Sequence, residues 1–309
     1  MTCRLSRQMN LSTPTAVYPY FDKVQVWLKP PANPNDLEFL RKQCGKGGLY
    51  ADNRPAPFGQ GYKQRLELRQ PSPEALQWLA RRDDVFVNRG EIALDFIFAS
   101  WTARDEAMEF LDFHLIRRWR SKKQQVRLYR AGTERDHRGR PRPERVDQIA
   151  DAQTRYDAGR WSRNGITAYL ENHSRVTGEL FCLHLEWRAN GLRAVQAAGI
   201  KSACDLLDFD HHEFWKKRLL LRDIDIEHLG RLFRNRAKLS KSRTPALKPD
   251  RGGRQINVDR YGGQLIKKSV GSLQELIDTY SRFVRVERAL RPISNSVWLP
   301  PALTRMERE

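Results

Sequence analysis

Apolar and polar residues alternate in several short runs and recur at helical spacing in others. "VQVWL" (Val24–Leu28), "YKQRLELRQ" (Tyr62–Gln70) and "VFVNRGEIALDFIFAS" (Val85–Ser100) carry the period of two that sends successive side chains to opposite faces of a strand. Gly90 is the expected bulge in the last. Between them, "PNDLEFLRKQC" reads as a short helix capped by Asn35 or Asp36, and "SPEALQWLARR" as one capped by Ser72 with Pro73 in its first turn. "GKGGLYADNRPAPFGQG" reads as a long loop. "TARDEAMEFLDFHLIRRWR" predicts a helix capped by Thr102, with Ala107, Phe110, Leu111, His114 and Leu115 near helical spacing. Three more strands follow, "QQVRLYR", "GITAYL" and "ELFCLHLEW", the last two joined by a turn. After Gly191 the pattern is mainly helical, and "SLQELIDTYSRFVRVERAL" reads as one amphipathic helix.

This order predicts an α+β chain: an antiparallel-rich central sheet covered by helices, with a mainly helical C-terminal part. The expected divisions are a sheet-based domain over 1–190, a helical extension over 191–239, a Pro/Gly-rich basic linker over 240–263 and a helical segment over 264–309.

Charge adds the class of partner. The formal net charge is +19, which points to a polyanion, with nucleic acid ahead of an anionic membrane. No apolar run approaches the roughly 20 residues that cross a bilayer, and the first residues lack an apolar signal core. Cys3, Cys44, Cys182 and Cys204 are far apart with no CxxC pair, so reduced thiols, a cytoplasmic location and no cysteine zinc site are expected. Arg117 to Arg142 holds eleven Lys/Arg against Glu134 and Asp136, and Arg231 to Arg254 holds nine against Asp250. Either stretch could neutralise a row of phosphates, the alternative being a solvated basic loop. Trp119, Tyr129, Tyr156 and Trp161 lie among the arginines and favour single-stranded DNA, whose bases can stack.

Three constellations could carry chemistry. Glu91 and Asp95 share a face of "EIALDF" and could bind Mg²⁺ or Mn²⁺. In "CLHLEWR", Cys182, His184, Glu186 and Arg188 share one face and Leu183, Leu185 and Trp187 the other. The apolar face should be core. The polar one offers a nitrogen ligand, an oxygen ligand and a guanidinium, or else a surface ion pair. Tyr169 lies with Thr167 and Glu171 on one face of its strand. It is a packing residue or, beside a metal-polarised phosphate, a nucleophile, with Tyr129 and Tyr156 as rivals. His211 and His212 read as a surface pair.

Taken in series, "VNRGEIALDF", "TRYDAGR" (Thr154, Tyr156, Gly159, Arg160), "ITAYLEN" with Tyr169 and "LHLEWR" with Glu186 and Arg188 resemble rolling-circle replication initiators of the plasmid trans-acting type, a family related to some relaxases. The resemblance spans Arg89 to Arg188. Glu91 stands where aspartate is usual, Glu171 where lysine is common, and Gly159 one residue further from Tyr156 than the pattern has it.

The resemblance implies a DNA nickase that cuts one strand of a duplex origin and keeps a tyrosine joined to the 5′ phosphate. Tyr169 is then the nucleophile, and Asp95 and Glu186, with His184 or Glu91, hold one Mg²⁺ or Mn²⁺. Arg188 and Arg160 grip phosphate oxygens, with Arg163, Arg127, Lys122, Lys123 and Arg89 as further DNA contacts. A second copy of the chain and a helicase are the further partners it suggests. The competing reading is a DNA-binding regulator of a mobile element that does not cut. An RNA-binding protein is weaker, because no aromatic pair of an RNA-recognition sheet is visible.

Overall fold

The computed structural model describes residues 13–114, 124–130, 139, 144–146, 154–159, 164–224, 290–292 and 298–299. Among these, nine strands form one antiparallel sheet: β1 (Ala16–Leu28), β2 (Leu49–Asn53), β3 (Gln64–Arg69), β4 (Val85–Ile97), β5 (Gln124–Arg130), β6 (Glu144–Val146), β7 (Thr154–Gly159), β8 (Asn164–His173) and β9 (Leu180–Asn190). Their spatial order is β2-β3-β1-β4-β9-β8-β7-β5-β6. A small ribbon pairs β10 (Arg222–Ile224) with β11 (Leu290–Pro292). The helices are α1 (Pro34–Lys42), α2 (Pro73–Ala80), α3 (Trp101–His114), α4 (Leu192–Ala197) and α5 (His211–Lys216). The expected α+β sheet covered by helices is therefore the fold found. The segments read as the basic linker and the long C-terminal helix fall outside the described residues, except that Leu290 belongs to β11.

One face of the sheet is the core. Val24, Val26, Leu66, Leu68, Ile92, Leu94, Leu183 and Leu185 are buried there against Leu40 of α1, Leu76 and Leu79 of α2, Leu111 of α3, Val195 of α4 and Trp215 of α5. The side chains that alternate with them point to the other face, where the polar residues collect. Trp298 is buried in the same core, its ring 5.4 Å from Phe96 and from Phe110.

Several local expectations are corrected. The first strand begins at Ala16, not at Val24. Pro19 masks it in the sequence, yet it lies in the half of β1 that pairs only with β4, where β3 does not reach and proline is tolerated. The Gly/Pro-rich loop contains β2, which pairs along β3. The cap of α1 is Asn33, whose Oδ1 accepts the Asp36 N–H at 2.8 Å. The cap of α3 is Ser100, whose Oγ accepts the Ala103 N–H, so helix geometry starts before Thr102. Ser72 and Pro73 open α2 as expected. "SACDLLDF" forms only a 3-10 turn at Cys204–Leu206. His211 is buried between Phe21 and Phe209 rather than on the surface.

The bulges matter most. Gly90 pairs regularly with Val24. The register instead slips twice between β1 and β4. It steps from Gln25↔Arg89 to Val26↔Val87, leaving Asn88 as an extra residue, and from Phe21↔Ile92 to Lys23↔Glu91, leaving Asp22 as the other. The second slip switches the inward phase of β1 from Phe21 to Val24, so Asp22 and Lys23 both reach the polar face. Gln70 closes this bulge: its backbone N–H donates to the Asp22 carbonyl at 2.9 Å and its Nε2 to Asp22 Oδ1 at 3.0 Å.

Candidate metal centre and tyrosine

Register assembles the polar face. Across β1, β4, β9 and β8 the rows run Tyr18↔Asp95↔His184↔Tyr169, Tyr20↔Ala93↔Glu186↔Thr167 and Lys23↔Glu91↔Arg188↔Gly165. Asp95, His184, Glu186 and Glu91 are buried, so they are not a solvated ion pair on an open sheet. Leu183 and Leu185 are buried in the core on the opposite face, as expected, and Trp187 packs against it.

Asp95 is ringed by donors. Oδ1 meets His184 Nδ1 at 2.7 Å and accepts the Tyr20 hydroxyl at 3.1 Å. Oδ2 accepts the Ser174 hydroxyl at 2.7 Å and the Arg175 backbone N–H at 3.1 Å. Burial would raise the Asp95 carboxyl, but the bonds from His184, Ser174 and Tyr20 outweigh it and hold it below the usual range. With Nδ1 engaged, His184 Nε2 is buried without a hydrogen-bond partner, and Glu186 Oε2 lies 3.8 Å from it. Burial would lower the His184 imidazolium; the hydrogen bond to Asp95 and the neighbouring Glu186 carboxylate win and raise it to about 9.

One ligand atom each from Asp22, His184 and Glu186 lies within 4.8 Å of the others. Among the described residues this is the group that could hold a metal. An imidazole nitrogen with two carboxylate oxygens is a donor set that could hold a divalent metal ion. The unsatisfied Nε2 is the ring nitrogen that an ion could engage, and the Asp95 contact at Nδ1 holds the ring in the orientation that presents it. Sequence reasoning missed Asp22; the break in alternation across "YPYFDKVQV" was its signal.

Tyr169 stands beside this group. Its hydroxyl donates to Glu186 Oε2 at 3.0 Å, and its ring stacks on His184 with centroids 5.3 Å apart. Arg188 donates through Nη2 to the Tyr169 oxygen and through Nε to Glu186 Oε1. Burial works against the Glu186 charge, yet His184 and Arg188 hold its carboxyl far below the usual range. Arg175, on the turn between β8 and β9, closes the group from above. Nη1 donates to Asp22 Oδ2 at 3.1 Å, Nη2 to Glu171 Oε1 at 2.7 Å, and the guanidinium lies 5.7 Å from the Tyr169 ring centroid.

The remaining sequence candidates lie as follows. Glu91 is bound by Lys23 Nζ at 3.1 Å and by Arg89, and burial, then the Glu186 charge, raise its carboxyl. Cys182 is buried next to Asp95, and burial raises its thiol. Tyr156 and Arg127 occupy paired positions on β7 and β5, and Tyr156 pairs with Thr167, which pairs with Glu186. Lys122, Lys123, Arg160 and Arg163 lie outside the described residues.

Among solved structures the chain is similar to a rolling circle replication initiator protein from Geobacillus stearothermophilus, at 15% identity and TM-score 0.36 over 81% of this chain and 97% of that one. That likeness is too loose to carry function. No family model and no curated protein matches the chain. No helix among the described residues is long and apolar enough to cross a membrane.

Proposed function

We propose that this chain is a DNA replication initiator that nicks one strand at an origin, with Tyr169 as nucleophile beside a divalent metal held by Asp22, His184 and Glu186. The observation that supports it best is the Tyr169 hydroxyl, bound at once to Glu186 of the ligand group and to Arg188. A lone packing tyrosine needs neither partner. The ligand set differs in one position from that expected of the sequence: the donors around Asp95 fit it to orient His184, and Asp22 takes its place. Glu91, tied to Lys23 and Arg89, is a neighbour that sets the local charge.

A Mg²⁺ or Mn²⁺ ion in this seat would supply polarisation of a non-bridging phosphate oxygen. The chain's own residues do the rest. The hydrogen bond to Glu186 Oε2 orients the phenol, its proton leaves to water, and Arg188 offsets the charge left on the oxygen. The Tyr169 oxygen bonds to phosphorus, the bond from phosphorus to the 3′ oxygen breaks, and that oxygen takes a proton from water. The 5′ phosphate stays on the tyrosine, so the energy of the phosphodiester is kept for rejoining. The basic stretches hold the duplex and the freed strand, with Arg188 and Arg89 and the cations at 122, 123, 127, 160 and 163 as phosphate contacts.

The test is a gel assay for a covalent protein–oligonucleotide adduct on DNA from the chain's own genetic element, with Mg²⁺ or Mn²⁺. Wild type should form the adduct and Tyr169→Phe should not, at nearly unchanged DNA affinity. An adduct that persists in Tyr169→Phe and vanishes in Tyr156→Phe moves the nucleophile to β7. If wild type binds DNA and forms no adduct with either metal, the chain binds without cutting.

A further inference from the structure

The face that carries the metal group continues beyond it toward the β2 edge. After Asp22, β1 turns Lys23, Gln25 and Trp27 to this face, and the register sets Gln25↔Glu67↔Tyr50 and Trp27↔Arg65↔Asp52 side by side. Phe86 pairs with Trp27 from β4. The buried apolar side chains of α1–α5 belong to the core on the opposite face, so among the described residues no helix covers this one.

Two aromatic groups stand here, one beside a single cation and the other beside two. Tyr50 is 52% exposed, and the Arg65 guanidinium lies 5.3 Å from its ring centroid. Phe58, on the loop between β2 and β3, is 40% exposed. It leans on Trp27, Tyr62 and Phe86 with centroids 5.7, 5.7 and 5.0 Å away. Arg54 lies 5.9 Å from the Trp27 ring and Lys29 5.5 Å from that of Tyr62. The acids of this face do not cancel these charges: Asp52 is shared by Arg54 and Arg65, and Glu67 by Lys23 and Arg69.

A half-exposed ring beside a guanidinium can stack an unpaired base while the cation meets its phosphate. A protein-docking patch would share the aromatics and arginine but be depleted of lysine and acids at its centre, whereas Lys29, Asp52 and Glu67 stand among these rings. We propose that Tyr50 with Arg65, and Phe58 with Arg54 and Lys29, form a track for single-stranded DNA that leads to the Tyr169 centre. The five residue steps from Asp22 to Trp27 put the Phe58 station about 16 Å from Asp22 along β1. The track rests on the nicking reading and extends it: it says where the strand lies once its bases are unpaired.

The experiment measures binding of the full chain, in chelator, to a labelled oligothymidylate and to a duplex of equal length, alongside the adduct assay. Tyr50→Ala should weaken single-strand binding about five- to hundredfold, the range for loss of one stacked base. It should leave duplex binding unchanged, and Tyr50→Phe should bind like wild type, because the ring is kept. Phe58→Ala should show the same selective loss, but Phe58 also packs on three rings, so exposed Tyr50 decides. If Tyr50→Ala binds the single strand like wild type while wild type forms the adduct, the track is overturned and the nicking reading stands. If Tyr50→Ala weakens duplex and single strand equally, stacking is overturned as the cause. If wild type neither binds single strands nor forms an adduct, both fall together.

Discussion

Asp95 Oδ1 and His184 Nδ1 meet 2.7 Å apart across β4 and β9, and this contact leaves Nε2 as the ring nitrogen facing Glu186. Orientation by an outer carboxylate is commonly worth about 10–100-fold in metal affinity. Asp95→Asn should therefore weaken Mn²⁺ binding by about that factor, although Asp95 touches no ion in this arrangement. Calorimetric titration of the variant against wild type measures it. Unchanged affinity would show that His184 is held by its packing alone.

The same pair makes the metal-free protein sensitive to pH in both directions. His184 is raised to about 9 in the fold, against about 6.5 in an unfolded chain. Its contribution is complete below about 6.5 and is lost as pH rises toward 9. Asp95 and Glu186 are lowered, so theirs is present above about 4 and is lost as acid protonates them. Melting in chelator should be highest between these limits. Added Mn²⁺ should raise Tm more at pH 8.5 than at pH 6, because a ligand histidine must shed its proton. A chelated Tm that stays flat from pH 6 to 9 would contradict the His184 environment.

Much of the site was legible because strand periodicity places side chains before any contact is known. The alternation of "CLHLEWR" and "EIALDF" set His184, Glu186 and Asp95 on polar faces, and the register then laid those strands together. Asp22 was not legible in the same way. Pro19 interrupts the strand pattern, and the bulge at Asp22 shifts it by one, so the residues before and after it obey alternation in opposite phases. Ser174 and Arg175 were hidden for another reason. They act from a turn, through a hydroxyl, a backbone N–H and a guanidinium, and a turn has no periodicity to read. Whether Asp95 binds an ion or steers a ligand depends on which lone pairs are already taken, and only packing decides that.

Trp298 offers a test of how the chain's end is used. It is buried against Phe96, Phe98 and Phe110, between strand and helix, although about 200 residues separate it from β4. Trp298→Ala should cost about 3–5 kcal/mol, the usual result of emptying an aromatic site in a core. Denaturant unfolding of the full chain reads this directly. A loss below about 1 kcal/mol, the scale of a surface change, would mean that the core closes without Trp298.

Arg175 gives the most discriminating prediction, because its two jobs pull in opposite directions. In the ion-free protein its guanidinium sits on Asp22 Oδ2 and offsets a charge that a divalent cation would also seek. Arg175→Ala removes that competitor, so Mn²⁺ should bind several-fold more tightly. The backbone N–H to Asp95 survives the substitution, which keeps the His184 support in place. The lost cation also lies over the Tyr169 ring, where an incoming phosphate would need it. Adduct formation at saturating Mn²⁺ should therefore fall even as metal affinity rises. Arg175→Lys, which keeps the charge but not the two-handed grip on Asp22 and Glu171, should lie between wild type and alanine in both measurements. If metal affinity and adduct formation fall together, Arg175 is instead a scaffold for the turn, and the loss comes from Asp22 and Glu171 moving apart.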